Sequence, residues 1–562
     1  MRRGVSVVNK KVCPFPILFA LLALLIGTCA VVFPASAQAA PASTGSITVS
    51  GTVASSYDAY QIFSANVVDG DSDAKIATDL AWASDAARDA VLPVLHSAGM
   101  PNSQTTAQEA AEWLNTDSHL TSALSARLAR SLQGSGAVPV ALNAGTAAVL
   151  PCGYWLIVAD DDVIAQGEAG TAPIMALVGG SAVTVKPKAA TPKVAKHVLE
   201  DSTAAWQKAA DATVADDLYW RLSATVPAGL TAYDTYTVRF VDTMSAGLDP
   251  SKVAASMRVY VAAGADGGFD AVSAGKDGRA GTEPAKGWTD ITAQCATKVA
   301  ADGTFTVRTG DLIAALGGAD AFTAGARVVA VYNAPLDSAC NHGIAKGNPN
   351  EVYLRYPRSP FADQSGDAGF TRTPSDDATA YTWDLALTKR GSDGDKPLAG
   401  AVLSIADDRG RTLAADGAWD AEGKATVTTG EDGRVTVSGV DSGKLEVREL
   451  KAPKGYTAFE GTRSVTVKAE GLDVDQVVAA KPKLIITAES PLRADSADGS
   501  TGSLEASLIN TPTGTPPSIT TGGFMPSTGD MAMYAAAAAA AAGAALVVVA
   551  LLVKRGGGSH KE

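Results

Sequence analysis

The chain has 562 residues, enough for about three or four domains at roughly 150 residues each. Charged residues make up 19% and aromatic residues 6%, which is globular rather than disordered composition. The net charge of −13 opposes binding to nucleic acid, whose phosphates such a surface repels.

The first 40 residues read as a secretory signal. Arg2, Arg3, Lys10 and Lys11 precede an apolar run at 15–32, and small residues up to Ala37 or Ala40 offer cleavage sites. Residues 46–186 follow as an α+β domain. Strand patterns are expected at 46–53, 60–63, 153–159 and 182–185, around a helical stretch at 76–132 that carries Trp82, Val91, Leu95, Trp113 and Leu114. A proline-punctuated linker at 187–192 leads to a second domain, 191–373. Its strand-like runs at 236–241, 256–262, 326–332 and 351–356 predict a β-sandwich. A third domain, 381–512, shows short alternating strands at 383–387, 401–405, 425–428, 434–437, 444–447 and 463–467, a second sandwich pattern. The fold class is therefore mainly β.

A Pro/Gly/Thr spacer at 513–523 ends this body. Residues 531–553 are apolar for long enough to span a bilayer, and Lys554, Arg555 and Lys561 behind them keep the tail inside. The mature body is placed outside the cell. Cys13 and Cys29 leave with the signal, and Cys152, Cys295 and Cys340 remain. An odd number allows at most one internal disulfide. Cys295 and Cys340 share a domain and are the expected pair, with three free thiols as the alternative.

Four motifs carry the functional reading. Phe524, Met525, Pro526, Ser527, Thr528 and Gly529 stand directly before the apolar segment and its basic tail. This string resembles the LPxTG sorting signal of wall-anchored proteins, with Met525 in place of leucine. The resemblance implies cleavage by a sortase between Thr528 and Gly529, leaving an acyl-enzyme on Thr528.

The third domain runs from Trp383-Asp384-Leu385-Ala386-Leu387-Thr388-Lys389 through Leu445–Tyr456, with Glu449 inside the string and Ala452-Pro453-Lys454-Gly455-Tyr456 after it, to Ile509-Asn510-Thr511-Pro512. It resembles the collagen-adhesin B-type domain, an immunoglobulin-like sandwich. The resemblance implies a spontaneous isopeptide bond from Lys389 to Asn510 with Glu449 as proton shuttle. The second domain runs from Pro192-Lys193-Val194-Ala195-Lys196 through Phe240-Val241-Asp242-Thr243 to Gly347-Asn348-Pro349-Asn350-Glu351. It resembles the middle domain of pilus shaft proteins. Carried over, Lys196 bonds to Asn350 with Asp242 as shuttle, and Asn348 is the competing partner.

Such chemistry needs burial. A lysine amine is a nucleophile only when neutral, and removal from water disfavours its charged form.

Ala182-Val183-Thr184-Val185-Lys186-Pro187-Lys188 resembles the pilin motif of shaft subunits, with Lys186 where tyrosine is usual. Lys188 is then the nucleophile that attacks the Thr528 acyl-enzyme of the next subunit, with Lys186 and Lys193 as substitutes. Tyr60-Gln61-Ile62-Phe63 is similar to the first domain of such shafts.

Together these resemblances, over residues 46–529, imply a major pilin of the sortase-assembled Gram-positive family. They predict tandem immunoglobulin-like domains behind an α+β domain. The partners they imply are copies of the same chain, sortase, peptidoglycan, minor pilins and host surface ligands. No cofactor, metal or enzymatic activity is expected, because no metal-ligand spacing, nucleophile elbow or nucleotide-binding loop occurs. A monomeric wall-anchored adhesin and a surface enzyme are the alternatives, and the second lacks any candidate triad.

Overall fold

The computed structural model describes residues 43–51, 53–71, 74–116, 119–187, 191–228, 230–264, 287–472 and 482–514. The signal segment 1–40, Lys188, the sorting string 524–529 and the apolar segment 531–553 lie outside them. Among the described residues, no helix is long and apolar enough to cross a membrane.

The described chain is mainly β. In the N-terminal part, a sheet orders the strands Lys75–Trp82, Ser56–Asp69, Gly153–Ala159 and Ile174–Val178, with Val140–Asn143 also paired to Ser56–Asp69. A smaller sheet holds Ala148–Pro151, Thr44–Val49 and Val183–Val185. Gly153–Ala159 reads Trp155-Leu156-Ile157-Val158 without a polar interruption because both of its faces are covered. Trp155 and Ile157 meet Ile47, Val49 and Val185 of the small sheet. Leu156 and Val158 meet Val91, Leu95, Leu128 and Leu132 of the helices Asp85–Ser97 and Ser122–Gln133.

The helical stretch expected at 76–132 begins later than its pattern suggested. Lys75–Trp82 is a strand paired antiparallel to Ser56–Asp69. The first helix starts only where the Ser84 hydroxyl accepts from the Ala87 amide. Thr106, in a capping box with Glu109, and Thr121 start the next two helices in the same way.

The middle part is a sandwich of two facing sheets. One orders Ala205–Gln207, Val194–Glu200, Tyr219–Thr225, Arg327–Asn333, Arg258–Ala262 and Trp288–Asp290. The other orders Ala209–Asp211, Asp376–Tyr381, Asn348–Pro357, Arg239–Met244, Thr304–Arg308 and Ala296–Val299. Asp376–Tyr381 pairs with Asn348–Pro357, so this sheet runs past residue 373. The expected strand at 256–262 opens instead as a helical turn, Val253–Ser256, before Arg258–Ala262.

The C-terminal part is a second sandwich. Arg434–Val440, Trp383–Gly391, Ser503–Pro512 and Tyr456–Thr457 form one sheet, with Leu492–Asp498 paired to Ser503–Pro512. The facing sheet orders Trp419–Asp420, Thr412–Leu413, Val402–Ala406, Gly443–Lys451, Thr462–Glu470 and Lys483–Ala488. The strands Trp383–Gly391 and Ser503–Pro512, near the two ends of this unit, lie side by side and parallel. Trp383, Leu385, Leu387, Leu403, Val447, Val465, Leu504 and Leu508 fill the space between the sheets.

Candidate functional site: two buried lysine–acid–asparagine clusters

Strand periodicity puts polar residues where apolar ones belong. Along Trp383–Gly391 the inward series is Trp383, Leu385, Leu387 and then Lys389. Along Gly443–Lys451 it is Leu445, Val447, Glu449, and along Ser503–Pro512 it is Leu504, Ala506, Leu508, Asn510. Each of the three series ends on a polar group aimed into the sandwich.

The three groups meet there. Lys389 Nζ donates to Asn510 Oδ1 and lies 2.9 Å from Glu449 Oε1. Asn510 Nδ2 donates to both Glu449 oxygens, at 2.9 and 3.1 Å. The Phe459 backbone N–H donates to Glu449 Oε2, and the Phe459 ring lies 5.8 Å from the amine. Both charged side chains are 0% exposed. Burial pushes the Lys389 amine down to about 8, against the opposing pull of Glu449. An amine at that value is about one tenth neutral at pH 7, where an ordinary lysine is neutral in fewer than one molecule in a thousand.

The middle sandwich repeats the pattern on other strands. Lys196 follows Val194 inward, Asp242 lies between Phe240 and Met244, and Asn350 stands two residues before Val352. Lys196, Asp242 and Asn350 are all 0% exposed. Lys196 Nζ donates to Asp242 Oδ2 and, at 3.0 Å, to Tyr332 Oη. Tyr332 Oη donates to Asp242 Oδ2 at 3.1 Å and accepts from Asn350 Nδ2 at 2.9 Å.

Aromatic rings wall the amine, with Trp220 at 5.5 Å and Tyr332 at 5.6 Å from Nζ and Phe305 set edge-on to Tyr332. Burial lowers the Lys196 amine to about 8 and raises the Asp242 carboxyl. Both directions favour a neutral pair over an ion pair, and a neutral amine beside a carboxamide is a nucleophile beside an electrophile.

Asn348, the competing partner, is also buried but otherwise engaged. Its Nδ2 donates to the carbonyls of Asn341 and Ala380, and its Oδ1 accepts from the Asn341 amide. Asn350 Oδ1 and Asp242 Oδ1 are buried without a hydrogen-bond partner, an arrangement that costs about 1–3 kcal/mol per group. Among the two asparagines, it is Asn350 that shares the Lys196 cluster.

Tyr332 escaped the sequence reading. It ends the expected run 326–332 in phase with Val328 and Ala330, where a tyrosine reads as ordinary core. Nothing in that string marks its hydroxyl as part of a polar cluster.

The expected Cys295–Cys340 disulfide is not formed. Cys295 stands just before the edge strand Ala296–Val299 with its Sγ against the Ile291 carbonyl. Cys340 is buried in the loop before Asn348–Pro357, against Gly247. Cys152, Cys295 and Cys340 are all free thiols. Sharing a sandwich did not bring two cysteines from different loops together. Of the linker lysines, Lys186 and Lys193 are exposed.

Residues 384–481 match the family model described as the SpaA prealbumin-like fold domain. Over 129 residues the chain is 30% identical to the trypsin-resistant surface T6 protein of Streptococcus pyogenes serotype M6. That alignment covers 22% of this chain and 22% of that protein, so the chain spans about a fifth of the length of the curated relative it matches. Among solved structures, the T6 backbone pilin of serotype M6 Streptococcus pyogenes is similar over 84% of this chain and 100% of its own, at 16% identity and a TM-score of 0.46. The full-length major pilin SpaD of Corynebacterium diphtheriae is similar over 84% of this chain and 98% of its own, at 15% identity and a TM-score of 0.42. Through its C-terminal sandwich, this chain is therefore similar to the SpaA prealbumin-like fold family.

Proposed function

We propose that this chain is the shaft subunit of a covalently polymerised surface pilus, a structural protein whose sandwiches close themselves with Lys–Asn isopeptide bonds. The observation that carries the reading is the pair of buried clusters: Lys389, Glu449 and Asn510 in direct contact, and Lys196, Asp242 and Asn350 joined through the Tyr332 hydroxyl.

The chemistry is plainest in the C-terminal cluster. Neutral Lys389 Nζ attacks Asn510 Cγ. The Nζ–Cγ bond forms, the Cγ–Nδ2 bond breaks and ammonia leaves. Glu449 touches both nitrogens, so one carboxyl can take the proton from Nζ and return it to Nδ2. The product amide has no charge to desolvate, which removes the cost of holding a buried lysine and carboxylate together.

Polymerisation is the second half of the reading. The strand Val183–Val185 ends the N-terminal part and hands the chain to the linker that carries Lys188. In this proposal Lys188 of one subunit attacks the Thr528 acyl-enzyme that a sortase makes on the next. A last transfer joins the polymer to peptidoglycan, where the shaft supports adhesion alongside minor pilins.

Two measurements test the proposal. The intact mass of the secreted body is expected to fall short of the sequence mass by two ammonia molecules, and a full sequence mass would overturn the self-crosslinking. Cell-wall extracts are expected to show a detergent-resistant ladder that Lys188→Ala abolishes. A single band in the unmutated strain would leave a monomeric wall-anchored adhesin instead.

A further inference from the structure

We propose that the Tyr332 hydroxyl is a catalytic group of the middle crosslink, passing a proton from Asp242 to the departing amide nitrogen of Asn350. The inference rests on the reading that Lys196 and Asn350 become an amide, and it supplies the proton path that this reading leaves open.

The two clusters differ at this point. In the C-terminal sandwich, Glu449 contacts both the attacking and the leaving nitrogen. In the middle sandwich, Asp242 contacts Lys196 Nζ, but among the described hydrogen bonds Asn350 Nδ2 donates to Tyr332 Oη. Register and side-chain length account for the difference. Asp242 pairs with Val352 on the neighbouring strand, whereas Asn350 pairs with Met244, two residues along. Two residues of strand span about 6.6 Å, and an aspartate is one methylene shorter than a glutamate.

Tyr332 reaches into this gap from the facing sheet, and its bonding capacity is fully used. A phenol has one proton to donate and two lone pairs to accept with. Oη accepts from Lys196 Nζ at 3.0 Å and Asn350 Nδ2 at 2.9 Å, and donates to Asp242 Oδ2 at 3.1 Å. It touches every group through which the proton must pass. The ring is 0% exposed. Burial also holds the phenol far above its ordinary value, so it acts as a neutral carrier rather than a base.

The steps balance without a co-reactant. Neutral Lys196 Nζ attacks Asn350 Cγ, placing a positive charge on Nζ and a negative charge on Oδ1. As Nδ2 pyramidalises, it gains a lone pair. Tyr332 Oη–H turns and donates to it, while Oη takes the proton of neutral Asp242. The Asp242 carboxylate then accepts a proton from Nζ. The carbonyl re-forms, the Cγ–Nδ2 bond breaks, ammonia leaves, and Tyr332 and Asp242 return to their starting states.

The test follows linked peptides from the moment of synthesis in cell-free expression of the full chain, with Tyr332→Phe beside the unmutated protein. The variant keeps the ring and its contact with Phe305. The expected result is a Lys196–Asn350 peptide that accumulates at least tenfold more slowly, while the Lys389–Asn510 peptide of the same molecules accumulates at its usual rate. A middle link formed as fast as in the unmutated chain would overturn the relay and leave the crosslink reading standing. A middle link absent from the unmutated chain would sink both.

A second measurement avoids the risk of misfolding. Replacing all tyrosines by 3-fluorotyrosine makes the phenol more acidic. It is expected to change the rate of the middle link and not that of the C-terminal link, whose cluster holds no tyrosine among the described contacts. Equal rates for both links with and without fluorine would also overturn the relay.

Discussion

The two clusters assemble the same three functional groups on opposite plans. In the C-terminal sandwich, Lys389 and Asn510 sit on neighbouring parallel strands of one sheet, and the acid reaches over from the facing sheet. In the middle sandwich, Lys196 and Asn350 sit on facing sheets, and the acid lies on the strand next to the asparagine. A bond at the first site staples two strands side by side, whereas a bond at the second staples sheet to sheet. With both bonds formed as proposed, the chemistry asks for a shared dry cluster rather than for one arrangement of strands. What the strand plan decides is which path the proton takes and which displacement the bond forbids.

Under tension this difference becomes large. In the proposed shaft, force enters near Lys188 and leaves near Thr528. It crosses from Lys196 to Asn350 and later from Lys389 to Asn510, so residues 197–349 and 390–509 hang as closed loops outside the load. Pulling single molecules of the unmutated chain is expected to release only the stretch between the bonds, 350–389, roughly 130 Å of extended chain. Asp242→Ala should add roughly 500 Å and Glu449→Ala roughly 400 Å. Equal extensions in all three proteins would show that neither bond carries load.

Equilibrium stability should respond next most strongly. By analogy with a disulfide closing a loop of this size, each proposed crosslink should contribute about 4–5 kcal/mol. The loops differ in length, but loop entropy grows so slowly that this separates them by only about 0.2 kcal/mol. Any larger gap between Asp242→Ala and Glu449→Ala in thermal melts therefore comes from the groups each leaves unpaired, the buried lysine first at about 3–5 kcal/mol, then the Tyr332 hydroxyl or the Phe459 amide at about 1–3 kcal/mol. Lys196→Met should accordingly be milder than Asp242→Ala, although both lose the bond. The opposite order would mean that the acid does not hold the amine.

A smaller effect separates the two asparagines. Asn348→Ala removes three hydrogen bonds and should cost about 1–3 kcal/mol while leaving the mass deficit unchanged. Asn350→Ala should regain one ammonia. A regained ammonia in the Asn348 variant instead would reassign the bond.

Lys389, Glu449 and Asn510 were legible through the resemblance that their strings bear to a known domain family, since on residue type alone a lysine and a glutamate read as surface groups. The structure adds that each continues a series of inward apolar residues. Tyr332 was not legible, because a tyrosine in phase with Val328 and Ala330 satisfies the pattern it belongs to. The strand Lys75–Trp82 was mistaken for helix because its apolar residues, read together with the helices that follow, fit a helical period. Only its pairing with Ser56–Asp69 decides otherwise. The Cys295–Cys340 pairing failed because a count of thiols carries no geometry.

The pH-dependent effect lies where the two sandwiches meet. Asp211 accepts from the Trp383 indole and from the Ser442 amide and hydroxyl, and its own amide donates to Glu200 Oε2 at 3.1 Å. Asp201 and Asp441 lie beside them, with Arg409 bound to Asp201 and Asp216. Burial first, and the neighbouring Asp211 charge second, raise the Glu200 carboxyl to about 8. They also raise Asp441, and burial raises Asp201. The native state therefore holds protons that the unfolded chain has released, and the Glu200 contribution to stability falls as pH rises from about 4.5 to about 8. Melting temperatures across that window should decline, and Glu200→Gln should flatten the slope while leaving both crosslinks in place. A slope unchanged by that substitution would assign the pH response to other groups and leave the junction a neutral seam between two independently closed sandwiches.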